Sequence, residues 1–89
     1  MASHINKNPH DPKRERFRRL LRRLRQKSKL RQVDVAHRLG KPQSFVAKYE
    51  AGERRLDIID TREICAALGV SLAEFATLLE RELSKKAGQ

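Results

Sequence analysis

The sequence predicts an all-α protein of five short helices, and three observations carry that prediction. Apolar residues recur at helical spacing, and no segment shows the alternation a strand needs. Glycines at positions 40, 52 and 69 each close an apolar-periodic stretch. The 89 residues suffice for one small core and not for two, and no internal repeat divides them.

The organisation follows in chain order. Residues 1–12, "MASHINKNPHDP", hold two prolines and almost nothing apolar, and read as a flexible leader. Residues 13–83 form the folded domain, and residues 84–89 a frayed tail. From Lys13 to Lys27, Phe17, Leu20, Leu21 and Leu24 make a single helical stripe, with arginines crowding the other faces. The second helix, Gln32 to Leu39, turns Val35, Ala36 and Leu39 inward, leaves Val33 on a flank and stops at Gly40. Pro42 suits the start of the next helix because it lacks an N–H the first turn would leave unbonded. That helix begins near Gln43, packs Val46 and Tyr49 inward and ends at Gly52.

Asp57 is placed to cap a fourth helix running to about Leu68, with Ile58, Ile59, Ile64, Ala67 and Leu68 as its apolar bulk. Ser71-Leu72-Ala73-Glu74 has the form of a capping box, and Val70 with Phe75 that of a hydrophobic staple, opening the fifth helix. The second and third helices span barely two turns each and could not persist alone, since nucleation is costly. A scaffold must hold them, and their mutual angle is the feature being held.

Charge narrows the function. Twenty-one Lys and Arg oppose eleven Asp and Glu, a net charge of +10. Residues 1–55 hold 17 basic and 5 acidic side chains; residues 56–89 hold 4 and 6. One basic part joined to a slightly acidic part implies a face for a polyanion, nucleic acid before an anionic membrane surface, and a separate face for something else. Cys65, the single cysteine, excludes an internal disulfide and sits among apolar positions as a buried small residue. His4, His10 and His37 are scattered without metal-ligand spacing, and neither a nucleotide-cradling glycine loop nor a nucleophile-base pair is evident. The chain therefore reads as a non-enzyme without metal or cofactor. It shows no apolar run of membrane-spanning length and no secretion signal, and a cytoplasmic location is expected.

The stretch "LRQVDVAHRLGKPQSFVAKYEAGERRLD" resembles the helix-turn-helix of the Cro/CI (XRE) class of bacterial and phage repressors, which includes the lambda repressor DNA-binding domain. The matching residues are Gln32 opening the first motif helix, Ala36 at the helix crossing and Gly40 in the turn. Val46 on the inner side of the second helix and the Tyr49-Glu50-x-Gly52 ending complete the set. The resemblance runs from about Phe17 to Leu79 and implies a five-helix, lambda repressor-like domain.

It also implies roles. Gln43 and Ser44 should touch base edges, Gln being suited to bonding adenine N6 and N7 together. Lys48, one turn after Ser44, should reach bases or phosphates. Gln32 would buttress Gln43 and bond a phosphate. Lys41, Arg54 and Arg55, in the turns flanking that helix, should meet the phosphate backbone. Arg25 and Glu50 occupy the positions of a structural ion pair, beside the structural residues Ala36, Gly40, Val46 and Tyr49. One position departs: Arg31 stands where the family commonly has a Ser, Thr or Asn cap, placing a cation at a positive helix end. A phosphate arriving there would relieve it.

The whole implies a transcriptional regulator, most simply a repressor, that binds a near-palindromic operator on double-stranded DNA as a homodimer. The dimer surface is expected in the C-terminal half, where Leu78 and Leu83 could exceed what the core covers or could simply pack inward. The alternative is an antitoxin or partner-binding module of the same fold in which DNA binding is secondary.

Overall fold

A computed structural model of the chain describes residues 11–85. It consists of α1 (Pro12–Lys27), α2 (Gln32–Leu39), α3 (Gln43–Ala51), α4 (Ile58–Ala67) and α5 (Leu72–Ser84), with no strand among the described residues. The leader up to residue 10 and the tail from residue 86 lie outside the described residues.

Both ends of the folded part reach slightly further than the sequence pattern indicates. The Asp11 carboxylate accepts from the Lys13 backbone N–H at 2.9 Å, and Pro12 occupies the first helical position, so α1 begins one residue early. At the other end Arg16 Nη1 donates to the carbonyls of Glu82 (3.1 Å) and Lys85 (3.0 Å). The Glu82 carbonyl also accepts from the backbone N–H of Lys85, the C-cap, at 3.4 Å, so a guanidinium from α1 helps satisfy the carbonyls at the close of α5.

The core consists of Leu20, Leu21, Val35, Ala36, Val46, Tyr49, Ile64, Cys65, Ala67, Leu68 and Phe75. Phe17, Leu24, Leu56, Leu78 and Leu79 close over it, half-buried. Helix α1 lies against α3 and α5, α2 against α3 and α4, and α4 against α5. The two short helices are thereby wedged between longer ones, which supplies the stability they lack alone.

The terminators act through distinct geometry. Gly40 takes φ 67°, and the N–H of Lys41 reaches back to the Ala36 carbonyl at 3.0 Å, closing α2. Pro42 is the N-cap of α3 in an extended conformation, one position earlier than a first-turn residue, and its carbonyl accepts from Phe45 N–H at 3.0 Å. The capping boxes at Asp57/Asp60 and Ser71/Glu74 are both formed.

Two apolar assignments change. Ile58 and Ile59 are 64% and 62% exposed, so α4 turns its first residues outward and contributes Ile64, Cys65, Ala67 and Leu68 to the core. Ile58 instead lines the rim of a groove shared with Phe17 of α1 and Leu72 and Phe75 of α5. Leu78 packs on the core, and Leu83 lies half-buried along a groove.

Candidate nucleic-acid interface

The turn Gly40-Lys41-Pro42 sets α3 across α2 with its first residues outward. Gln43 and Ser44 are exposed, and Lys48 is exposed one turn on, while Val46 and Tyr49 anchor the opposite side at 0% and 1% exposure. The anchored side fixes the helix; the other side is available to a ligand.

Behind Gln43 runs a chain of four side chains. Gln43 Nε2 donates to Gln32 Oε1 at 3.2 Å, and Gln32 Nε2 donates to Glu50 Oε1 at 3.0 Å. Glu50 in turn accepts both Arg25 Nε (2.7 Å) and Nη2 (2.9 Å), and Arg25 Nη1 donates to the Leu30 carbonyl at 2.9 Å. Hydrogen bonding to Glu50 raises the Arg25 pKa above its ordinary value. The direction of each bond follows from chemistry. Glu50 can only accept, so Gln32 must turn its NH2 inward and its carbonyl outward, which in turn orients the amide of Gln43.

Arg31, the N-cap of α2, has its positive charge met within the protein. Its backbone N–H donates to Asp34 Oδ2 at 2.8 Å, and its guanidinium reaches Asp34 Oδ1 at 2.9 Å and Oδ2 at 3.1 Å. Arg31, through these hydrogen bonds, holds the Asp34 carboxyl at about 2. The acid three residues downstream therefore offsets the misplaced cation with half a capping box, and no external phosphate is needed to explain it. The spacing Arg31-x-x-Asp34 was the available signal.

Phe45, to which the sequence pattern assigns no role, acquires one in the structure. Lys41 Nζ lies 5.4 Å from its ring centroid and Arg54 Cζ 4.8 Å, while the ring meets Tyr49 edge-on at 5.6 Å. One aromatic side chain thus gathers a cation from before α3 and a cation from after it. An aromatic two residues after Gln43, between Lys41 and Arg54, was its only trace in the sequence. Arg55 is exposed beside Arg54.

Several other basic residues serve the fold. Arg38 donates to the Ala67 carbonyl at 2.8 Å, joining α2 to the end of α4, and Arg23 pairs with Glu82 at 2.8 Å. Part of the basic excess in residues 1–55 is therefore internal bracing. Among the described residues no group of His, Cys, Asp or Glu could hold a metal ion, and no helix is long and apolar enough to cross a membrane.

The comparisons with known proteins agree with this geometry. A family model described as "Helix-turn-helix domain" matches residues 16–78. Among solved structures, the chain is similar to an XRE-family like protein from Pseudomonas syringae pv. tomato str. DC3000. The two share 34% identity over 85% of this chain and 92% of that one, with a TM-score of 0.77. No curated protein matches significantly.

Proposed function

Since the chain belongs to the XRE type of the helix-turn-helix family, we propose that its DNA-binding domain makes it a sequence-specific transcriptional repressor in the cytoplasm, reading a near-palindromic operator as a homodimer. The observation that carries this reading is the outward Gln43 amide, held from behind by Gln32. With one N–H committed to Gln32, Gln43 retains its carbonyl oxygen and a second N–H, the acceptor-donor pair that adenine N6 and N7 require. Ser44 and Lys48 extend the base-reading edge along the same helix. Gln32, Lys41, Arg54 and Arg55 flank it as phosphate contacts, supplying affinity and register, and Arg31 joins them only if a phosphate competes with Asp34 for its guanidinium.

In a homodimer two copies of α3 enter successive major grooves about 34 Å apart. Residues 56–89, with 4 basic and 6 acidic side chains, are the part of the chain that two copies can bring together without strong repulsion. Ile58 and Ile59 are the exposed large hydrophobic residues of that part among the described residues, and they follow directly on the Arg54-Arg55 turn. A second copy is the occupant this face suits.

Selection of bound sites from random duplexes tests the reading, and the expected product is a symmetric motif with half-sites one helical turn apart. Against the selected site, Gln43→Ala should lose about 1–3 kcal/mol of preference over random duplex. Equal discrimination by wild type and Gln43→Ala would refute the assignment of α3 as the reading helix.

A further inference from the structure

Helices α1 to α4 close through the same pair of backbone bonds. One residue donates its N–H to the carbonyl three positions back, and its successor donates to the carbonyl five positions before itself. At α2 these are Gly40 to His37 (3.1 Å) and Lys41 to Ala36 (3.0 Å); at α3, Gly52 to Tyr49 (3.2 Å) and Glu53 to Lys48 (2.8 Å). At α4 they are Gly69 to Ala66 (3.1 Å) and Val70 to Cys65 (3.0 Å), and at α1 Lys29 to Gln26 (2.9 Å) and Leu30 to Arg25 (3.1 Å). The closing residue is left-handed each time, and at α2, α3 and α4 it is glycine, at φ 67°, 84° and 82°. At α1 it is Lys29, at φ 60°, the one non-glycine residue of positive φ among the described residues.

A Cβ makes this conformation strained, whereas glycine adopts it freely. Nothing in the fold repays Lys29 for the strain. Its side chain is exposed, and its ammonium forms no hydrogen bond or ion pair with another described residue. The turn that carries it is nevertheless fixed to the reading face. Leu30 packs on the core, and its carbonyl accepts from Arg25 Nη1 at 2.9 Å. Arg25 holds Glu50, Glu50 holds Gln32, and Gln32 holds Gln43. Lys29 therefore stands three residues ahead of Gln32, at most about 10 Å away along the chain.

We infer that Lys29 is a duplex-phosphate contact, a charge kept at a position where glycine would serve the backbone better. The inference rests on the DNA-binding reading above and adds to it a residue outside the helix-turn-helix pair. Arg31, two positions on, has its guanidinium committed to Asp34, which leaves Lys29 as the cation of the α1–α2 turn whose charge is unmet. An ammonium on a flexible four-carbon stem follows a phosphate without demanding a fixed geometry, so Lys29 supplies affinity and not base choice.

The test uses the full chain as wild type, Lys29→Gly, Lys29→Arg, Lys41→Gln and Arg81→Gln, in thermal melts and in the salt dependence of affinity for random-sequence duplex. Arg81 is exposed on α5, which packs on α1 and α4, and controls for net charge. Lys29→Gly should melt about 4 °C higher, because glycine relieves the strain. Its salt slope should become shallower by about 0.9, with affinity falling about eightfold at ~0.1 M salt. Lys29→Arg should keep the wild-type slope, and Arg81→Gln should change it little. Stability gained while affinity is lost is a result that a lysine serving only the fold does not give. A lower Tm in Lys29→Gly would make the side chain part of the fold and overturn the assignment. A slope unchanged in Lys29→Gly but shallower in Lys41→Gln overturns it alone and leaves the DNA-binding reading standing. Slopes unchanged in both variants overturn the two together.

Discussion

Glu50 accepts two hydrogen bonds from Arg25, at 2.7 and 2.9 Å, with their side chains only 5% and 11% exposed. This bidentate pair binds the end of α1 to the end of α3, and through Gln32 it reaches the residue at the start of α3. Removing Arg25 would leave a carboxylate enclosed with Gln32 as its remaining side-chain donor among the bonds described above. Arg25→Ala should therefore destabilise the fold by about 3 kcal/mol, the lower end of the range for a broken buried pair because this one is only partly enclosed. Arg25→Lys should recover little, since an ammonium cannot reproduce the fork. Arg25→Met/Glu50→Gln should recover more. Urea denaturation measures all three; a loss below about 1 kcal/mol in Arg25→Ala would mean the pair is solvated.

Phe45 makes a different prediction, because its partners are cations poised toward a polyanion. Phe45→Leu keeps apolar contact with Tyr49 but gives up the ring face that Lys41 and Arg54 share, worth about 0.5–1 kcal/mol for each cation. Affinity for operator and random duplex should fall together, leaving their ratio unchanged, and Phe45→Tyr should restore both. A change confined to the operator would instead make Phe45 a base contact. Fluorescence anisotropy with the two duplexes separates these outcomes.

The helices were legible in the sequence because their signals are local: apolar spacing, glycine terminators and caps all lie within a turn of what they control. The family pattern likewise led to Gln32, Gln43, Arg25 and Glu50, which the structure joins in one hydrogen-bonded chain. What escaped depended on tertiary placement. The pairing of Arg31 with Asp34 was readable from spacing, yet the family's habitual cap drew attention to what Arg31 lacked. That Ile58 and Ile59 face outward follows from where α4 meets α2 and α5, which no periodicity reports.

Ile58 and Ile59 carry the dimer prediction. They stand beside an apolar groove of about 460 Å³ whose lining includes Phe17, Leu56, Leu72, Phe75, Leu79 and Leu83. Ile58→Ser/Ile59→Ser should shift the protein to monomer at concentrations where wild type sediments as a dimer. Because both side chains are already exposed, stability of the monomer should change by no more than about 0.5 kcal/mol each. Affinity for a full palindrome should drop far more than affinity for an isolated half-site. Identical sedimentation of the two proteins would place the dimer contact elsewhere.

Cys65 is fully enclosed between α4 and its neighbours, and burial pushes its thiol up from the ordinary value of 9.0 to about 11. The reactive species is the thiolate, so the folded protein should resist alkylation near pH 8 and react only as fast as it opens. The same shift fixes a pH dependence. In the unfolded chain the thiol ionises near 9, whereas in the folded protein it stays protonated to about 11, so above pH 9 the unfolded state releases a proton that the folded state keeps. The stabilisation is therefore complete below about 9 and is lost as pH climbs through about 11. Burial also raises the Tyr49 hydroxyl, so some alkaline loss should persist without the thiol. Denaturation midpoints from pH 7 to 11 should fall more steeply for wild type than for Cys65→Ala, the two curves separating above pH 9. Parallel curves would show that Cys65 ionises as readily in the folded protein as in the open chain.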